Sequence, residues 1–165
     1  TSMGARAVPN RLCPHIAQFG RFSAGHAWRL LPPVERPRFS QGFCLLAVEA
    51  INRLQTTYPG LQFELNGVSP GAQGMMIVAS TVKNRDNAAA WPIDWQIAGN
   101  EGDLRLADIR LVGLSLGIFL RSLANAGPTG FSTDPPRAEG ILARWRQALD
   151  RAVPPQGDQP IAQPQ

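Results

Sequence analysis

The sequence predicts an α+β fold, a twisted four-stranded antiparallel sheet wrapped by helices. Three observations predict it. Apolar and polar residues alternate between Trp91 and Leu111 with the two-residue period of half-buried strands. Four such stretches follow one another with short turns between them, which makes a meander of antiparallel neighbours. Helix-period stretches stand on either side of this block.

Taken in order, residues 1–12 are expected to be a flexible N-terminal segment and residues 13–153 a single domain. Ile16, Phe19, Phe22, Ala27, Trp28, Leu30 and Leu31 suit a helix broken near Gly20 or Gly25. Pro32-Pro33 ends it. Phe39, Phe43, Leu46, Ala50 and Leu54 recur every three or four residues, an amphipathic helix over 34–55 stopped by Tyr58-Pro59-Gly60. The first strand carries Leu61, Phe63 and Leu65, and Gly67 to Gly74 reads as a turn. The second, over 75–83, places Met76, Val78, Ser80 and Val82 on one face, and residues 84–87 form the next turn.

The hairpin that follows organises the chain. Trp91, Ile93, Trp95 and Ile97 alternate with Pro92, Asp94 and Gln96, and Gly99 to Gly102 turns the chain. Leu104 and Leu106 share a face, but the next apolar pair is Ile109 and Leu111. That slip of phase predicts a bulge at Ala107-Asp108. Ser115 is placed to cap a helix running to Asn125, apolar on nearly every side except Arg121 and Ser122. After a Gly/Pro loop over 127–136, a last helix over 137–153 shows Ile141, Leu142, Trp145 and Leu149 on one side. Residues 154–165 are expected to be a disordered Pro/Gln-rich tail.

The net charge is +4 and, of sixteen basic residues, all but Lys83 are arginine. Arginine contacts phosphate in bidentate fashion, so the balance suits a solvated basic surface or contact with anionic lipid headgroups. No basic run is interleaved with aromatics, which argues against nucleic acid. Cys13 and Cys44 form no C-x-x-C pair, and neither His15 nor His26 completes a zinc spacing. The two cysteines read equally well as a disulfide or as separate buried thiols. The apolar runs fall far short of the ~20 residues that a transmembrane helix needs.

No catalytic set emerges. Ser115 lacks a base and reads as a cap. Asp108 at the bulge reads as a structural carboxylate paired with an arginine. Asp94 lies between Ile93 and Trp95 and should face water when they face the core. The apolar helix after Ser115 is either fully buried in a dry core or the lining of an apolar cavity, and the residues alone favour the dry core.

The run Asp108-Ile109-Arg110-Leu111-Val112-Gly113-Leu114-Ser115-Leu116, followed by Arg121, resembles the C-terminal signature of the MlaC, or toluene-tolerance, family, roughly D-V-x-V-E-G-V-S-L. Gly25-His26-Ala27-Trp28-Arg29 and Glu35-Arg36 resemble two earlier family features, and the element order agrees from about residue 18 to 149. Val112 stands where the family usually has glutamate, and Leu104 where it usually has tryptophan. The resemblance implies an exported, periplasmic phospholipid carrier rather than an enzyme. Its helices would enclose an apolar, cone-like cavity on the sheet. It would act as an auxiliary component between an inner-membrane ABC transporter complex and an outer-membrane lipoprotein partner, in the upkeep of outer-membrane lipid asymmetry. No cofactor or metal is implied, and a monomer is expected. Under this reading the ligand-binding residues are Phe43, Leu46, Val78, Ile93, Trp95, Leu111, Leu116, Phe119, Leu120 and Trp145, with Arg121 serving the headgroup or the fold. Alternatives are an adaptor of a membrane transport complex with a filled core, a hopanoid-type lipid binder, and a small enzyme of the ketosteroid-isomerase kind.

Overall fold

The computed structural model describes residues 4–85, 88–126 and 135–155, with side chains from residue 11 onward. Helices α1 (Gly4–Ala24), α2 (His26–Leu30) and α3 (Glu35–Thr57) lead into strands β1 (Leu61–Pro70), β2 (Met76–Asn84), β3 (Ala90–Ala98), β4 (Arg105–Leu111) and β5 (Leu114–Ser115). Helices α4 (Leu116–Asn125) and α5 (Ala138–Ala152) complete the chain. The loop over 127–136 and the tail over 154–165 fall largely outside the described residues, as do 86 and 87 of the turn between β2 and β3.

The sheet is the expected antiparallel meander in the order β1-β2-β3-β4, extended by a fifth strand. β5 escaped the sequence reading because it is two residues long. It returns from β4 through Val112 and Gly113, both at positive φ (51° and 81°), the pattern of a two-residue type I′ hairpin. Glycine suits that backbone, but a β-branched valine there is an outlier and stores on the order of 1–3 kcal/mol of strain. β1 is also longer than expected. Its register shifts between Leu65 and Gly67, so Asn66 bulges out and the strand continues to Pro70. The second shift leaves Ala107 unpaired between Leu106 and Asp108, which is the bulge read from the phase slip. Leu104, by contrast, lies just before β4.

The first helix is continuous through Gly20 and breaks only at Gly25, which has φ 58°. It also begins at Gly4, ahead of the expected start. Gly20 serves packing, since a Cβ there would sit 2.5–2.9 Å from the Phe43 ring. α1 and α3 therefore approach closely at this point, and Cys13 and Cys44 join them as a disulfide with Cα atoms 5.5 Å apart. Phe19, Phe39, Phe43 and Trp145 fill the space among α1, α3 and α5, with ring centroids 5.6–6.4 Å apart in edge and stacked contacts. Trp145 is only 2% exposed, and its indole N–H donates to the Leu120 carbonyl at 2.8 Å.

Candidate functional site

The cross-strand register sorts the sheet into two faces. Phe63↔Val82↔Trp91, Leu65↔Ser80↔Ile93↔Leu111 and Val68↔Val78↔Trp95↔Ile109 run across one of them. Gln62↔Lys83, Glu64↔Thr81, Ala79↔Asp94↔Arg110 and Ile77↔Gln96 run across the other, while the bulge at Ala107 turns the buried Asp108 toward α4. One face is therefore apolar and the other mostly polar, because side chains alternate across a pleated strand. The single polar group in the middle of the apolar face is satisfied. Ser80 Oγ donates to the Ile93 carbonyl at 3.0 Å and accepts from Trp95 Nε1 at 2.8 Å.

The helices lie on the apolar side but cover it at one edge only. Leu106 and Ile109 of β4 pack into the helical core, and α1 and α4 seat on β4. β1, β2 and β3 make little contact with any helix. The consequence is plainest on β1, where Phe63 is 64% exposed, Leu65 75% and Val68 66%. Toward the middle of the sheet the face is shielded, with Ser80, Val82 and Ile93 buried, but along β1 it is left bare, far from the ordinary scatter of single exposed apolar residues.

The residues expected from sequence to bind ligand divide into two groups. Val78, Ile93, Trp95 and Leu111 share the apolar sheet face. Phe43, Leu46 and Trp145 are buried in the helical core, with Leu116 and Leu120 partly buried against it. Leu120 thus faces the helices rather than the open sheet. Helix α4 is not buried all round, as either sequence reading required: Ile118 and Phe119 are exposed, Phe119 by 53%. Arg121 is engaged in the fold. Its Nε and Nη2 donate to the Phe22 carbonyl at 3.2 and 2.8 Å, and its guanidinium lies 4.2 Å from the Phe22 ring centre. It thereby satisfies a carbonyl in the last turn of α1. The sequence-derived set omits Phe63, Leu65 and Val68. The alternation of β1 held the signal for the first two, while Val68 was hidden by the bulge at Asn66.

Asp108 has a different partner from the arginine expected. It is 6% exposed, and its Oδ1 accepts from Ile109 N at 2.9 Å and from Gly117 N at 3.0 Å. The carboxylate pins the start of α4 to the bulge, where a negative charge is favoured by the helix dipole. Ser115 caps the same helix as expected, its Oγ accepting from Ile118 N at 3.0 Å.

The sequence matches the model of the MlaC protein family over residues 14–123, more than half of the chain. The chain belongs to the MlaC family. Among solved structures, a phospholipid-binding protein from Ralstonia solanacearum, determined in complex with a phospholipid, matches with a TM-score of 0.52. It is 16% identical in sequence, and the match covers 90% of this chain and 81% of that one. At that identity the likeness establishes the MlaC-type fold of a mixed helical and antiparallel-sheet protein. No curated protein sequence matches.

Proposed function

We propose that the protein is a phospholipid carrier of the periplasm, a binding protein without catalysis. It would hold acyl chains against the apolar face of its sheet and pass lipid between membrane-bound transport components. The observation that carries this reading is the apolar face of the sheet, exposed along β1 at Phe63, Leu65 and Val68 and half-buried at Val78 and Trp95, on the side where the helices lie. Val78, Ile93, Trp95 and Leu111 are the proposed sheet wall, joined by Phe63, Leu65 and Val68, with Phe119 at the edge of α4. Phe43, Leu46, Leu116, Leu120 and Trp145 form the packed backing behind that site, and Arg121 holds α1 to α4. Family membership and the fold shared with a phospholipid-binding protein support the choice of ligand. The Cys13–Cys44 disulfide supports an oxidising compartment.

The energetics suit carriage rather than storage. Burying an acyl chain from water is worth ~0.8 kcal/mol per CH₂, on the order of 10 kcal/mol for a full chain. Transfer between this face and a bilayer exchanges one apolar medium for another and is close to neutral. Lipid is thus retained in water and released to a membrane component. The proposed partners are an inner-membrane ABC transporter complex and an outer-membrane lipoprotein.

Organic extraction and mass spectrometry of the purified protein test the reading. Phospholipid is expected at a sizeable fraction of one molecule per chain. Protein that emerges free of lipid, and takes none up when mixed with phospholipid, sinks it in favour of an adaptor.

A further inference from the structure

We infer that one end of the sheet, carrying the β4–β5 turn, the start of β3 and the first turn of α4, docks on an anionic bilayer surface. The inference rests on the carrier reading and extends it to the way cargo enters and leaves.

Residues 111–120 carry no charged side chain, and neither do residues 88–93. The fold brings these two stretches together: Val112 N donates to the Pro92 carbonyl at 3.1 Å, and Leu111 pairs with both Ile93 and Leu114. Trp91, Val112, Leu114, Ile118 and Phe119 are all exposed there. Such a patch on a turn and a helix start offers a protein partner few polar groups to read, whereas aliphatic side chains beside a tryptophan suit the boundary between headgroups and acyl chains. Arg85, exposed after β2, stands beside it, and Arg110 on β4 lies opposite Asp94, on a chain of net charge +4. These favour an anionic surface.

Continuity with the proposed lipid site decides the occupant. Leu111 and Trp91 belong both to the end patch and to the apolar sheet face, through the rows Ser80↔Ile93↔Leu111 and Val82↔Trp91. An acyl chain sliding off the sheet would meet apolar side chains all the way to this end. Seated on a bilayer, the patch gives the chain a path on which it never crosses water.

The test is flotation of the full chain, as purified, with vesicles of phosphatidylethanolamine and phosphatidylglycerol, and with vesicles of phosphatidylcholine alone. The parent should float with the anionic vesicles, less so with the neutral ones or at high salt. A V112D/L114D double variant should lose about tenfold or more in vesicle affinity while keeping its bound phospholipid. Brominated lipid should quench tryptophan fluorescence in the parent and much less in W91F, a reading that stands even if the double variant misfolds. A double variant that floats like the parent, or equal quenching in parent and W91F, overturns docking by this end. Bound phospholipid in a parent that floats with neither vesicle overturns docking and leaves the carrier reading intact. Flotation that depends on Val112, Leu114 and Trp91 in a lipid-free protein supports docking and counts against the carrier reading alone.

Discussion

Asp108 shows what a single side chain does here. Its Oδ1 holds two backbone N–H groups, one on its own strand and one at the start of α4. Gly117 is small because the space is taken: a Cβ there would lie 2.8 Å from the Phe22 ring and 3.0 Å from Asp108 Oδ1. Asp108→Ala leaves both donors without their acceptor in a buried place. The expected loss is ~1–3 kcal/mol, read as a lower urea midpoint with an unchanged slope. Asp108→Asn, which keeps a carbonyl oxygen, should recover much of it. The D…G-[VL]-S-L pattern is thus a structural motif in this chain. Its aspartate, glycine and serine build the joint between sheet and helix.

At the scale of elements, α3 and α5 are joined on their outer side by charges. Arg53 bonds Asp150 at 2.5 Å and pairs with Glu49, and Arg146 reaches Glu49 at 2.5 Å. Burial alone would raise the Glu49 carboxyl, but hydrogen bonds from Arg146 and Arg53 outweigh it and hold the group below its ordinary value. A carboxyl with a depressed folded-state pKa stabilises the fold above its unfolded-state pKa. That stabilisation is lost as the pH falls through the lower folded-state value. Glu49→Gln should therefore be less stable than the parent at neutral pH, and the difference should shrink on acidification. Urea titrations of the two proteins across the acid range measure it. An equal gap at every pH would mean that the carboxylate charge is not what joins the helices.

For the whole molecule, the decisive feature is a helical layer that takes only β4 from the sheet into its core. Aromatic rings close the space among α1, α3 and α5, so the apolar face of β1, at the far edge of the sheet, is left over. Two substitutions separate these regions. Leu120→Trp adds bulk to the packed backing and is expected to cost ~1–3 kcal/mol by overpacking, with little effect on bound lipid. Val68→Glu places a charge on the open face. Its stability should stay within about 0.5 kcal/mol of the parent, since an exposed site tolerates it, while extracted phospholipid falls sharply. Thermal melts of lipid-free protein and lipid analysis of each variant read the two effects. The opposite pairing, lipid lost from Leu120→Trp and kept by Val68→Glu, would move the proposed site into the helical layer.

Much of this was legible in the sequence because it is local. A two-residue period assigns Val78, Ile93 and Trp95 to one face whatever lies above them, and a slip of phase marks the bulge at Ala107. A serine before an apolar run announces the cap, and the run from Asp108 to Leu116 carries the family. Periodicity also says that an element has an apolar side, but not which neighbour covers it. That depends on residues far apart in the chain, and only the tertiary structure decided it. Trp145 and Phe43 became backing because α5 returns onto α3, and Leu120 turned to the helices because α4 seats between α1 and α5. Arg121 was drawn to the Phe22 carbonyl, 99 residues away. The cysteines paired because Gly20 lets α1 approach α3. The bareness of β1 is tertiary for the same reason: exposure belongs to what does not pack, and no strand carries that information in its own residues.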